Sequence, residues 1–299
     1  MRPKNSDFEG DSEFTMFEAM IENKAIKEAT KRSYRANYRK LRNLLGKNIR
    51  DTAEDTTVNA INAAVGEQIN SAQALLNIAI LCRRNMEPAL PVDTIILKRT
   101  DNKDEVTEML KQTNSHMTLP SLAEYDAYLE LLWTKGKYRD YIVNFLMRHH
   151  YTRNMDLIFD IVSTKKETLE DLSKNYLWHD RKNLRVVYIR NNYKTFRTYG
   201  QKMVVIDNER FLYAVKKCEK QMHCFPLTLD EQLIGYYVKQ ISYNQLGEGA
   251  LLKIIVKHYI NDYGRLLEIS KSRGTNLKVL MSSYNITFNN DDSAAGALA

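Results

Sequence analysis

The chain has 299 residues, 43% of them hydrophobic, enough for two domains of ordinary size, each with its own core. Only 11 glycines and 5 prolines occur, which argues against a turn-rich all-β sandwich and favours helices. Forty-four Lys and Arg against 37 Asp and Glu leave a net charge of +7, a modest excess whose placement matters more than its size. No apolar run approaches the length that spans a bilayer, and no h-region opens the chain, so a soluble protein with no membrane partner is expected. Cys82, Cys218 and Cys224 are scattered and odd in number, which fits a reducing, intracellular compartment rather than a disulfide framework. His223 and Cys224 stand near Cys218 without a second ligand pair at a zinc spacing, so neither metal nor cofactor is expected.

Residues 1–24 are acidic, contain Gly and Ser, and read as a loose N-terminal segment. "EATKRSYRANYRKLRNLLGKNI" follows as a helix that Thr30 can cap. Tyr34, Tyr38, Leu41 and Leu45 fall on one face, and Arg35, Arg39 and Arg42 on another, with Lys31 and Arg32 beside them. Between Lys27 and Arg50 nine basic residues accompany one acid, Glu28. A solvated face usually mixes signs, so this helix points equally to phosphate contact. "TTVNAINAAV", "SAQALLNIAILCRRNM" and "PVDTIILKRTDNKDEVTEMLKQ" add further helices, making residues 25–112 a helical bundle. "TNSHMTLP", residues 113–120, reads as a linker.

The second half starts with a capping box, Ser121 and Glu124, on "SLAEYDAYLELLWTK". "YRDYIVNFLMRHH" is an apolar helix, and "RNMDLIFDIVS" reads as its continuation or close successor. The period then changes. Two β-rich runs, 184–189 and 202–206, flank a polar turn with Asn-Asn and Gly200, which predicts a hairpin. Residues 181–202 carry seven basic residues and no acid, so the hairpin is a second basic element. "NERFLYAVKKCEK", "LDEQLIGYYVKQI", "EGALLKIIVKHYIND", "GRLLEISKS" and "NLKVLMSSYN" return to helix, and 289–299 is a flexible tail. The expected fold class is mainly α with a small β-hairpin or sheet.

This order of parts resembles the tyrosine recombinase (phage-type integrase) family over roughly residues 25–288. "TKRSYRANYRKLRNLLGKNI" and "SAQALLNIAILCRR" look like helices of that family's SAM-like core-binding domain, and residues 121–288 like its α+β catalytic domain. "HYTRNMDL" is similar to the region of the first catalytic arginine, which gives Arg153. The hairpin is similar to the one that carries the catalytic lysine, which gives Lys194, with Lys202 as the alternative. Its wording resembles integrase-like proteins of large DNA viruses and related mobile elements. "SSYNI" stands where the nucleophilic tyrosine belongs, which gives Tyr284. The sequence also departs from the pattern. In the family's His-x-x-Arg box, Ala250 replaces the histidine and Lys253 the arginine, and Thr275 replaces a later His or Trp. A shifted register brings His258 or Arg273 forward instead.

The resemblance implies that Tyr284 attacks a DNA phosphodiester, forming a 3′-phosphotyrosyl link and releasing a 5′-hydroxyl. Arg153 then clamps the phosphate with a planar fork, Lys194 protonates the leaving oxygen, and Lys253 supplies charge without the fork. Double-stranded DNA is the implied partner, bound by a homo-oligomer in a host cytoplasm or nucleus or in a virion. Its contacts would be Lys31, Arg32, Arg35, Arg39 and Arg42 on the bundle, Arg190, Arg197 and Lys202 on the hairpin, and Lys257, His258, Arg273 and Thr275 beyond it. Arg153 can alternatively pair with Asp156 or Asp160, and His149, His150 and His258 can serve packing. Two other functions fit the same residues: a degenerate member that binds or packages DNA without cutting it, and a helical adaptor with no nucleic acid.

Overall fold

The structure is a computed structural model that describes residues 11–24, 26, 28–115, 118–219, 224–225 and 233–284. The chain divides into two compact units, Met1–Leu110 and Lys111–Ala299. It is mainly helical with one small mixed sheet.

The first unit contains α1 (Ser12–Glu22), α2 (Glu28–Leu45), α3 (Glu54–Val65), α4 (Ile69–Arg84) and most of α5 (Asp93–Ser115). The expectation of a loose segment over 1–24 is corrected here, because α1 is an integral helix. Asp11 caps it by accepting from the backbone N–H groups of Glu13 and Phe14 at 2.8 and 3.0 Å. Phe17 and Ile21 are fully buried, and the Phe17 ring stacks on Tyr38 of α2 at 4.3 Å. Glu13 is buried as well, and its carboxylate accepts from the Tyr38 hydroxyl and from the backbone N–H groups of Ile49 and Arg50. The apolar face of α2 meets this core as its spacing predicts, with Tyr38 and Leu41 fully buried. The linker expected over 113–120 begins later than the composition suggested, since α5 runs on to Ser115.

The second unit begins with α6 (Leu122–Thr134), capped by the expected box: Glu124 N–H donates to Ser121 Oγ at 3.2 Å and Ser121 N–H to Glu124 Oε2 at 2.7 Å. Helix α7 (Tyr138–His150) ends at Tyr151, which adopts a left-handed φ of 54°. "RNMDLIFDIVS" is not helical as expected. It forms a short 3-10 turn, Asn154–Leu157, then β1 (Phe159–Val162). Next come α8 (Glu167–Glu170), β2 (Asn175–Asp180), β3 (Arg185–Arg190), α9 (Phe196–Tyr199), β4 (Lys202–Ile206), α10 (Glu209–Glu219) and the two-residue β5 (Cys224–Phe225). Helices α11 (Ile234–Ile241), α12 (Glu248–His258), α13 (Tyr263–Arg273) and α14 (Leu277–Tyr284) complete the unit.

The sheet order is β4-β3-β2-β1-β5, with β1 parallel to β2 and the other pairs antiparallel. The expected hairpin is therefore the β3–β4 edge of a larger sheet. Alternation along β3 sends Val186 and Tyr188 into the core shared with α7, α10 and α12, while Val187 and Ile189 join a small cluster on the other face. The same parity carries Arg190 inward, opposite Lys202 of β4. At that end of the sheet Asn175 pins the start of the β3–β4 connection. Its amide donates to the carbonyls of Ile158 and Asn192 and accepts from the N–H groups of Asn191 and Asn192.

Truncating a fully buried aromatic costs about 3–5 kcal/mol. Phe17→Ala should therefore lower the unfolding free energy of the first unit by about that amount in a denaturant titration. A change below about 0.5 kcal/mol, the usual range for an unpacked position, would mean that α1 does not belong to the core.

Candidate active site

Three segments of the second unit meet at the Arg190 end of the sheet: the turn after α7, the β3–β4 connection, and the turn between α13 and α14. Arg153 joins the first to the third. Its guanidinium donates to the carbonyl of Arg273 at 2.5 Å and to Thr275 Oγ1 at 2.6 Å. Arg273 is itself buried, and its guanidinium donates to the carbonyl of Tyr151 at 2.9 Å and pairs with Glu248. Glu248 also accepts from the backbone N–H of Asn154 at 3.1 Å, so the first turn of α12 holds both sides of the Arg153 turn. Ser272 Oγ donates to the carbonyl of His150, tying the end of α13 to the end of α7.

The β3–β4 connection reaches the same place. Gly274 has φ +57°, and a Cβ there would lie 2.2 Å from Thr195 Oγ1 and 3.0 Å from a Tyr199 ring atom. A residue without a side chain is thus required both by the backbone and by the close approach. Arg190, only 1% exposed, pairs with Asp156 at 3.3 Å and stands against the rings of Tyr188 and Tyr193. Lys202 Nζ donates to the carbonyls of Lys271 and Ser272 at 2.7 and 3.2 Å, in the last turn of α13 where the helix dipole favours a cation. The rings of Tyr193 and Tyr199 flank it at 5.3 and 5.1 Å.

The electrostatics are lopsided. Four cations, Arg153, Arg190, Lys202 and Arg273, face two carboxylates, Asp156 and Glu248. Burial pushes the Lys202 ammonium below the usual lysine range, with help from Arg190 and Arg153. Burial also raises the Asp156 carboxyl, against the pull of Arg190. Several buried polar atoms have no hydrogen-bond partner among the described residues, including Arg190 Nε and the hydroxyls of Thr152 and Thr195. A cavity of about 510 Å³ opens beside the cluster, lined by Tyr199, Lys202, Tyr263, Lys271, Thr275 and Asn276 among others.

Not all the residues expected here arrive. Arg153, Lys202, Arg273, Thr275 and Arg190 do. Lys194 is exposed in the turn ahead of α9, so the hairpin lysine that reaches the cluster is Lys202, the alternative. Arg190 and Arg273, expected to contact DNA, are instead buried on carboxylates. Arg197, Lys257 and His258 are exposed, and Lys253 is half-buried on α12, where burial pushes its ammonium down. Tyr284 is the last residue of α14, and its side chain lies outside the described residues. About 10 Å of helix separates its backbone from Leu277, at an ordinary rise.

On the first unit, the basic face of α2 finds its counter-charges on the segment before it and on Glu28 at its own start. Arg35 pairs with Glu18 at 3.0 Å, Glu28 at 2.9 Å and Glu22; Lys31 pairs with Glu22 at 2.5 Å; Arg42 pairs with Asp11. Arg39 lies over the Phe14 ring at 5.7 Å. Lys31, Arg35 and Arg42, expected as phosphate contacts, are thus engaged with acids of this unit, and Arg32 is the member of the set that stays exposed. Sequence reading missed Glu248, Asn175 and the α1 acids. The inward turn of Arg190 was readable from strand parity, two residues beyond Tyr188.

No protein-family model, no curated protein and no solved structure matches this chain.

Gly274→Ala should destabilise the second unit by more than ~1 kcal/mol, since it combines a left-handed φ with a contact too close for a methyl group. Pairing it with Thr195→Gly relieves the closer contact but neither the Tyr199 ring nor the backbone, so the double variant should recover part of the loss in a thermal melt. Burial, with His149 and Arg190 close by, lowers the His150 pKa to about 4 from an ordinary 6.5. His149 is lowered to about 4 as well. The folded state then binds fewer protons than the unfolded state between those values, so stability should fall as pH drops from 6.5 to 4, with His150 contributing at most ~1.4 kcal/mol per pH unit. His150→Gln should reduce that slope without abolishing it, as read by denaturant midpoints across the range.

Proposed function

We propose that the chain binds duplex DNA through backbone phosphates and breaks and rejoins a strand with Tyr284, in the manner of the tyrosine recombinases it resembles. The observation that carries this reading is the Arg153 cluster. Its cations outnumber its carboxylates by four to two, and Arg190 Nε and the Thr195 hydroxyl, like the acceptor Asp156 Oδ1, are buried with no partner among the described residues. A phosphodiester supplies both a negative charge and oxygen acceptors, so it suits such a set.

In this scheme Arg153, positioned by its bonds to the Arg273 carbonyl and Thr275, clamps the phosphate with its planar fork. The Tyr284 hydroxyl gives up its proton to solvent as its oxygen attacks phosphorus, the bond to the 5′-oxygen breaks, and Lys202 delivers the proton that the leaving oxygen takes up and regains one from solvent. Its lowered pKa makes proton release easier than for an exposed lysine. Rejoining runs the same steps backwards, with the 5′-hydroxyl as nucleophile. The chemistry uses no cofactor, and strand exchange between two duplexes calls for a homo-oligomer. The first unit takes the role of the core-binding bundle, with the exposed Arg32 on α2 among its DNA contacts.

A second reading keeps the DNA grip and drops the cut. It is favoured by Ala250 and Lys253 in the expected His-x-x-Arg box and by the burial of Arg190 and Arg273 on Asp156 and Glu248. Losing one preorganised donor from such a site costs about 10²–10³ in rate. A nicked suicide duplex carrying the protein's own recognition site separates the two. The expected result is a covalent protein–DNA adduct that Tyr284→Phe abolishes while leaving salt-sensitive binding intact. Binding without any adduct at long incubation would replace the enzyme by the non-cutting DNA-binding protein.

A further inference from the structure

The far end of the same sheet holds a second cluster, about 17 Å from Arg190 by the length of β3 at ordinary strand rise. A cleft of about 690 Å³ lies there, bordered by the end of β1, the β2–β3 turn and the last turn of α10. At its centre His179, buried at the end of β2, engages Glu219 of α10 through Nδ1 at 2.8 Å. The other Glu219 oxygen accepts from Arg181 at 2.7 Å. Burial works to raise the Glu219 carboxyl, but the bonds from His179 and Arg181 outweigh it and hold the group below its usual range. Lys216 and Ser163 complete the polar lining, and Ile161 and Leu184 the apolar one.

The carboxylates on this cleft are already engaged. Both oxygens of Glu219 are taken, and Glu167 accepts through Oε1 from the backbone and hydroxyl of Thr164 at 3.1 and 2.6 Å. The donors on offer are the remaining N–H groups of Arg181, the Lys216 ammonium and the Ser163 hydroxyl. A buried carboxylate that grips one imidazole nitrogen fixes the ring and presents the other. Leu184 adds an unusual feature. It adopts a left-handed φ of 50° and is 74% exposed at the rim of the cleft. Asp180 enforces this by gripping Asn183 at 2.7 Å and Arg185 at 3.1 Å on either side. The turn thus holds an apolar side chain at the mouth of the cleft, in a backbone region that bulky residues seldom adopt.

We propose that this cleft binds a phosphomonoester joined to an apolar or aromatic body, as in a nucleoside monophosphate. Arg181 and Lys216 take the phosphate beside the His179–Glu219 pair, and Leu184 covers the attached group. The phosphate can belong to a free nucleotide or to the 5′-end of a DNA strand, and the inference does not rest on the chemistry proposed for Tyr284.

The test is amide chemical-shift mapping on the full chain with thymidine 5′-monophosphate, and with short oligothymidylates bearing a 5′-phosphate or a 5′-hydroxyl. Saturable shifts at residues 179–185 and 216–219 are expected, weakened at least tenfold in the double variant Arg181→Gln, Lys216→Gln. Both side chains are exposed, so the double variant should keep the wild-type melting midpoint. Tighter binding of the 5′-phosphorylated strand than of the nucleotide assigns the site to strand ends, and equal or weaker binding assigns it to free nucleotides. Shifts confined to the Arg153 cluster, no shifts at all, or binding unchanged in the double variant would overturn the proposal.

Discussion

The second unit depends on one guanidinium. Arg153 bonds the Arg273 carbonyl and Thr275 Oγ1, residues 120 and 122 positions further along the chain. Hydrogen bonds to a charged group are worth about 1.5–3 kcal/mol each when well placed, more than a neutral pair supplies. Around that contact every neighbouring choice is constrained. Gly274 must lack a side chain, Arg273 must be paired by Glu248, and Ser272 must reach back to the end of α7. A buried arginine stripped of its carboxylate costs several kcal/mol, so Glu248 and Asp156 are structural necessities before they are anything else. Their presence is what permits four cations to gather at one end of a small sheet.

The first unit solves the opposite problem. Helix α2 carries a surplus of one sign, and α1 brings Glu18 and Glu22 to Arg35 and Lys31 while its Phe17 enters the core. Exposed pairs of this kind contribute little alone, but Arg35 is shared by three carboxylates, and such a network holds its geometry better than isolated pairs. The pairing leaves Arg32 outside the network and exposed.

Much of this was legible in the chain. The α2 stripe of Tyr38 and Leu41, the Ser121–Glu124 box and the two strands of the hairpin follow from period and local chemistry. What was hidden is non-local. The acids of α1 and the bases of α2 look like a loose tail and a phosphate face when each is read alone, and only their packing shows them to be partners. The parallel β1–β2 pair leaves no local turn signal, so "LIFDIV" passed for helix. Of the two hairpin lysines, Lys194 stands at the tip, where a turn exposes it, whereas Lys202 sits opposite Arg190 by strand register. Register depends on the pairing of β3 with β4, which residue spacing does not encode by itself. Glu248 gave no signal at all: a first-turn glutamate is ordinary, and its role comes from what Arg153 and Arg273 bring to it.

The most direct test of the central claim, that the Arg153 guanidinium is the phosphate-gripping group, is the duplex affinity of Arg153→Lys against wild type across a salt titration. A lysine keeps the charge but cannot present a planar fork. The account predicts at least a tenfold loss of affinity with a nearly unchanged salt slope, because the same number of phosphates is neutralised while one bidentate contact is lost. Equal affinity for the two proteins at every salt concentration would contradict it.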